Sequence, residues 1–212
     1  MDEHLAMKDL PTTVFVIDDD QAVRDSLRLL LKSVGLPVRT HASAQEFLPS
    51  YDTRQPGCLI VDIRMPGMSG LELQQQLNLQ GTTIPLIFIT GHGDIPMAVE
   101  AMQLGAFDFL QKPFRDQDLI DRVQRALERD TSMRTQLKAT DRIRERLATL
   151  TPREREVLNL VTTGKPNKVM AGDLGVSQRT IEIHRSRVME KMQAHSLAQL
   201  VRMTMDLDRP MT

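Results

Sequence analysis

The chain of 212 residues has a single cysteine, Cys58, so no disulfide can form within it. That residue lies inside an apolar run and reads as a small buried side chain, not a redox or metal-binding group. No apolar stretch approaches the ~20 residues that span a bilayer. The opening Met1-Asp2-Glu3-His4 lacks the basic-then-apolar order of a secretion signal. A cytosolic protein with no membrane partner is expected. Aromatic residues make up only 3% of the chain and none lies beyond Phe114, which argues against a C-terminal stacking platform for single-stranded nucleic acid.

A hydrophobic content of 41% supplies packed cores, and the length fits two ordinary domains. The net charge of −1 hides an asymmetry: residues 11–129 carry 11 Lys and Arg against 15 Asp and Glu (11 − 15 = −4), whereas residues 151–205 carry 9 against 5 (9 − 5 = +4). The second half is therefore the one suited to a polyanion.

Four runs read as strands, and each ends on polar residues. Val14-Phe15-Val16-Ile17 ends at Asp18-Asp19-Asp20, and Cys58-Leu59-Ile60-Val61 ends at Asp62. Pro85-Leu86-Ile87-Phe88-Ile89 ends at Thr90, and Phe107-Asp108-Phe109-Leu110 runs into Lys112-Pro113. Apolar runs of this kind belong in a parallel sheet covered on both faces. Helical patterns lie between them over 22–34, 71–79, 95–104 and from 117 onward. The alternation predicts five βα units, and its size and alternation resemble the doubly wound, flavodoxin-like sheet whose strand order is 2-1-3-4-5.

From 128 to 150 the chain is charged, with apolar residues at spacings of an amphipathic helix whose stripe is too narrow to bury alone. A helical linker, continuous with the helix before it or a partly helical tether, is expected. Beyond Leu150 four helices fit in some 55 residues. Thr151-Pro152 with Glu154 forms a helix start. A short helix over 167–174, a turn at Gly175 and a long helix capped by Ser177 make a helix-turn-helix signature, with Ser196 opening the last helix.

In an open α/β sheet ligands bind beyond the carboxyl ends of the strands. Clustered carboxylates there need a cation or protons, and Mg2+ takes oxygen from one or two carboxylates, water and phosphate. Asp19 and Asp62 are the first candidate ligands, with Asp18 directly or through water and the backbone carbonyl of Arg64. Lys112 can neutralise a phosphoryl oxygen and Thr90 can donate to another. Asp62 is the best-placed phosphoryl acceptor. Lys112-Pro113 is a candidate cis peptide.

Residues 12–129 resemble the receiver domain of two-component response regulators. The resemblance rests on Val16-Ile17-Asp18-Asp19-Asp20, the run Asp62-Ile63-Arg64-Met65-Pro66-Gly67-Met68-Ser69-Gly70, Ile89-Thr90-Gly91-His92-Gly93-Asp94 and Gln111-Lys112-Pro113-Phe114. Residues 150–205 are similar to the LuxR-type DNA-binding domain, through Leu150-Thr151-Pro152-Arg153-Glu154 and Thr180-Ile181-Glu182-Ile183-His184-Arg185, leaving 130–149 as the linker. Together they resemble response regulators of the FixJ type. The resemblance implies that a sensor histidine kinase donates phosphate to Asp62, that Thr90 moves toward it, and that the Phe109 ring changes rotamer. Two subunits then pair through the surface around 95–104 and the following strand and helix, on promoter DNA and with RNA polymerase as a further partner. Catalysis is confined to Mg2+-dependent self-phosphorylation and autodephosphorylation. Gln103 stands where the nearest relatives are expected to carry Lys, so a salt bridge across the dimer becomes a hydrogen bond.

The long helix after Gly175 is expected to enter the major groove of double-stranded DNA, with Ile181, Ile183, Val188 and Met192 turned inward. Glu182 and Arg185 are the candidates for base edges, with Thr180 and His184 near the groove. Arg179, Arg187, Lys168 and Asn167 are candidate phosphate contacts, and Lys191 lies on the same polar helix. Two other functions compete: an aspartyl-phosphate-forming phosphatase, disfavoured because Arg64 stands where a general-acid Asp is expected, and a protein-interaction module.

Overall fold

Continuous apolar runs require cover on both faces, and that is how they are used in the computed structural model, which describes residues 10–91 and 95–208. The expected His92-Gly93-Asp94 stretch lies outside the described residues, as do 1–9 and 209–212. Strands β1 (Thr13–Ile17), β2 (Val38–His41), β3 (Gly57–Asp62), β4 (Leu86–Thr90) and β5 (Asp108–Gln111) form one parallel sheet in the order β2-β1-β3-β4-β5. Alternate side chains go to opposite faces. Val14, Val16, Cys58, Ile60, Ile87 and Ile89 pack with Leu27 and Leu31 of α1 (Gln21–Ser33) and Leu119 and Val123 of α5 (Asp116–Ala148). Phe15, Leu59, Val61 and Phe88 pack with Phe47 of α2 (Ala44–Phe47), Leu73 and Leu77 of α3 (Gly70–Leu79) and Ala101 of α4 (Ile95–Gln103).

Strand β2 is invisible as an apolar run because it is an edge strand: Val-Arg-Thr-His is only partly covered. Strand β5 closes the other edge and carries Phe109. It shares the α3/α4 side with its register partner Phe88, yet at the edge of the sheet it is 41% exposed.

The chain divides into two compact units, the first ending at Arg134 and the second beginning at Thr135. Helix α5 is a single element of 33 residues, so the expected linker is helical and continuous with the helix before it. Its residues up to Arg134 serve the first unit. Buried Asp130 accepts from the Gly57 N–H at 2.9 Å, and Arg134 bonds Asp130 and donates to the carbonyls of Thr53, Arg54 and Gln55. Ile143, Leu147 and Leu150 instead belong to the core of the second unit.

That core is closed by α6 (Pro152–Thr162), α7 (Asn167–Leu174), α8 (Gln178–Met192) and α9 (Leu197–Asp208). Thr151 and Glu154 form a reciprocal capping box at the start of α6. Gly175 ends α7 with φ 65°, a left-handed conformation that glycine adopts without strain, and this sets the turn into α8. No helix among the described residues is long and apolar enough to cross a membrane.

Candidate functional site

Because the strands are parallel and in register, their carboxyl ends bring Asp18, Asp62, Thr90 and Lys112 to one edge of the sheet. The Lys112 ammonium donates to Asp18 Oδ2 at 3.1 Å and Asp62 Oδ1 at 3.0 Å. Each carboxylate keeps a second bond: Asp62 Oδ2 accepts the Arg64 N–H at 2.8 Å and Asp18 Oδ1 the Asp20 N–H at 2.9 Å. Asp20 in turn caps α1 through the Ala22 and Val23 N–H groups. The Lys112-Pro113 bond is cis. Gly70 follows from the same packing, since a Cβ there would lie 2.6 Å from the Asp62 carbonyl oxygen.

Asp18 is almost fully buried, whereas the Asp62 side chain retains 14% exposure. Burial pushes the Asp62 carboxyl above the usual range against the opposing pull of the Lys112 ammonium, and neighbouring Asp18 adds to the rise. Burial draws the Lys112 ammonium down, but its bonds to Asp62 and Asp18 outweigh this and leave it raised, hence charged at neutral pH. Among the described residues, the Lys112 ammonium is thus shared between two carboxylates.

Thr90 is buried, and its hydroxyl makes a long contact of 3.3 Å with the Gly91 carbonyl. Asp19 is exposed, and its backbone carbonyl accepts from Arg24 at 2.9 Å. Among the described residues no group of three or more His, Cys, Asp or Glu side chains is set to enclose a metal ion. Asp18 and Asp62 therefore meet across Lys112 without Asp19 joining them as a third acidic side chain. Arg64 stands in the loop after β3.

In the second unit, Ser177 caps α8 and shares a 2.8 Å bond with Thr180. Arg179, Glu182 and Arg187 are exposed, Thr180 and His184 half-buried, and Lys168 is exposed on α7. Three expected contact residues, Arg185, Asn167 and Lys191, are engaged within the fold. Arg185 donates to the Asn167 side-chain oxygen, which joins α8 to the start of α7. The Lys191 ammonium bonds the Glu154 carboxylate at 2.6 Å and the Thr149 carbonyl at 3.1 Å. Ile183 requires a correction: expected to point inward, it is 48% exposed, while Ile181, Val188 and Met192 form the buried stripe. At about 100° per residue it stands far from that stripe, a signal the helical wheel already carried.

A five-stranded parallel sheet with acids and a lysine at its carboxyl edge, followed by a helix-turn-helix unit, defines a receiver-controlled regulator. Residues 14–124 match the response regulator receiver domain, and residues 148–204 match the bacterial regulatory proteins of the luxR family. The chain is similar to the transcriptional regulatory protein FixJ of Azorhizobium caulinodans, 50% identical over 91% of each chain. It is 49% identical to nodulation protein W of Bradyrhizobium diazoefficiens over 90% of this chain and 84% of that one. Among solved structures, the response regulator StyR superposes with a TM-score of 0.84 at 45% identity, covering 92% of this chain and 98% of that one. The chain belongs to the two-component response regulators that join a receiver to a LuxR-type DNA-binding domain, the FixJ type of transcription regulator. Its relatives are regulators, not metabolic enzymes.

Proposed function

We propose that Asp62 is the phosphoacceptor of a receiver spanning residues 12–129, and that its phosphorylation by a sensor histidine kinase controls promoter binding by residues 150–205. The observation that carries this is the Lys112 ammonium held between Asp18 and Asp62. An Asp62 carboxylate oxygen attacks the phosphorus and forms a P–O bond. The P–N bond of the phosphohistidine donor breaks, its electron pair stays on the imidazole nitrogen, and that nitrogen is left as neutral imidazole or takes up a proton.

Lys112 shifts its hydrogen bond from the carboxylate to a phosphoryl oxygen, so its charge serves both states. The Thr90 hydroxyl, whose contact with the Gly91 carbonyl is long at 3.3 Å, donates to another phosphoryl oxygen. Asp18, Asp62 and the Arg64 carbonyl are hard oxygen donors of the kind Mg2+ takes, and exposed Asp19 would join them by turning its side chain inward, the ion completing its shell with water and phosphate. When bound, Mg2+ supplies the positive charge that Lys112 alone cannot provide to the carboxylates and the incoming phosphoryl group.

Phosphorylation pairs two subunits through α4 and β5, where Val99, Met102 and Phe109 are exposed. Phe109 needs no cavity to rotate, since its ring already stands partly in solvent. Pairing two DNA-binding units raises avidity for a two-half-site operator without new base contacts. Exposed Arg179, Arg187 and Lys168 contact phosphates, Glu182 and Thr180 face the groove with His184 beside it, and RNA polymerase is the downstream partner. Incubation with Mg2+ and a small phosphodonor should add one phosphoryl mass to the wild-type chain and none to Asp62→Asn. Undiminished labelling of Asp62→Asn would overturn the assignment.

A further inference from the structure

Along α8 the buried residues Ile181, Val188 and Met192 fall within an arc of about 40°, and Ile183 lies about 160° from its middle. Ile183 is thus central to the outward face. Arg179 and Arg187 stand one turn before and one turn after it on that face, Ser186 lies beside it three residues on, and Glu182 is farther round on the same side; all four are exposed. A single exposed apolar residue is ordinary on a protein surface. This one is different in its setting, because it is 48% exposed in a row that is otherwise polar and bracketed by two guanidinium groups.

With cations one turn to either side, the face is complementary to a polyanion whose charges flank an apolar feature. The major groove of DNA has one such feature, the C5-methyl group of thymine. An aliphatic side chain also offers cytosine no partner for its N4 amine, so the same contact disfavours C at that position. Arg185 is poorly placed to compete for this role, since it lies next to the buried stripe and is bonded to Asn167.

We infer that Ile183 is a specificity-determining residue that packs on a thymine methyl group in the major groove while Arg179 and Arg187 engage the phosphates on either side. The inference rests on the DNA-reading role proposed for α8. It is tested by enriching a randomised duplex pool on the full-length protein in the presence of Mg2+ and phosphodonor, then replacing each thymine of the enriched duplex by deoxyuridine. That change deletes the methyl group and leaves the pairing edge intact. One thymine per half-site should be methyl-sensitive, with roughly 4-fold weaker binding on substitution, as for one buried methyl-sized group. Ile183→Ala should weaken binding to the thymine duplex at least as much and should erase the deoxyuridine effect at that position, and Ile183→Val should retain part of it. Being exposed, the position tolerates both changes, and unchanged helicity by circular dichroism verifies the fold. A duplex pool that enriches but contains no methyl-sensitive thymine, or full methyl sensitivity in Ile183→Ala, overturns this inference alone. Failure to enrich any duplex overturns the DNA-reading role and the inference with it.

Discussion

Lys191→Met separates two roles for a lysine on the DNA-binding helix. The ammonium is 2.6 Å from Glu154, whose side chain is only 3% exposed, and it also donates to the Thr149 carbonyl. Methionine keeps the apolar stem and removes the charge. Glu154 then retains the Thr151 N–H at 2.9 Å but loses its counter-ion. A hydrogen bond to a charged group contributes about 1.5–3 kcal/mol. Because a third of the Lys191 side chain is exposed, water can partly replace it, which places the loss near 2 kcal/mol rather than the ~3–5 of a fully buried broken pair. For a unit of this size that is a shift of roughly 10–15 °C in its unfolding midpoint.

Native-state hydrogen exchange on the full chain isolates the second unit, since α6 and α8 amides report its opening. Their opening free energy should fall by about 2 kcal/mol in Lys191→Met. The bond to Lys191, then that to Thr151, draws the Glu154 carboxyl from the ordinary 4.5 down to about 2. A depressed folded pKa stabilises above the unfolded value, so the wild type should lose this contribution as pH falls from about 4.5 to about 2. Lys191→Met should show a smaller loss over that window. If exchange is unchanged and the salt slope of DNA binding drops by about one, Lys191 is a phosphate contact and the scaffold role is refuted.

Arg134→Ala should destabilise the first unit by about 3 kcal/mol, because it strips three carbonyls of a donor and leaves buried Asp130 without its ion pair; faster exchange of the Gly57 amide checks it. Gly70→Ala should cost about 1–3 kcal/mol and slow phosphorylation, since the new methyl meets the Asp62 carbonyl and the Phe88 ring; urea unfolding and intact-mass labelling read the two effects. Lys112→Ala should push the Asp62 carboxyl higher still, because burial and Asp18 remain while the ammonium is gone; a carboxyl-carbon NMR titration showing a fall would contradict it. Arg187→Ala should weaken all duplexes alike and lower the salt slope by about one, as measured by binding titrations at several ionic strengths.

The sequence alone determined the parallel character of the sheet and which residues end its inner strands. Runs such as Cys58-Leu59-Ile60-Val61 can be satisfied only between two helical layers, and the polar residues that end them must then lie together. Helix starts at Thr151 and Ser177 and the turn at Gly175 were equally legible, because caps and left-handed turns are local chemistry. Edge strand β2 was not, since a half-covered strand has no continuous apolar signature. Only the tertiary structure decided which polar groups meet. Lys112 lies 94 residues from Asp18 and 50 from Asp62, yet it bonds both. Lys191 and Arg185 look like free cations on a helix, but Glu154 and Asn167 reach them from other helices. Ile183, by contrast, was legible as outward, since at about 100° per residue it stands far from the stripe of Ile181, Val188 and Met192. Local pattern fixes what a segment forms; the partner of each side chain is set by packing between segments distant in the chain, where pattern carries no distance information.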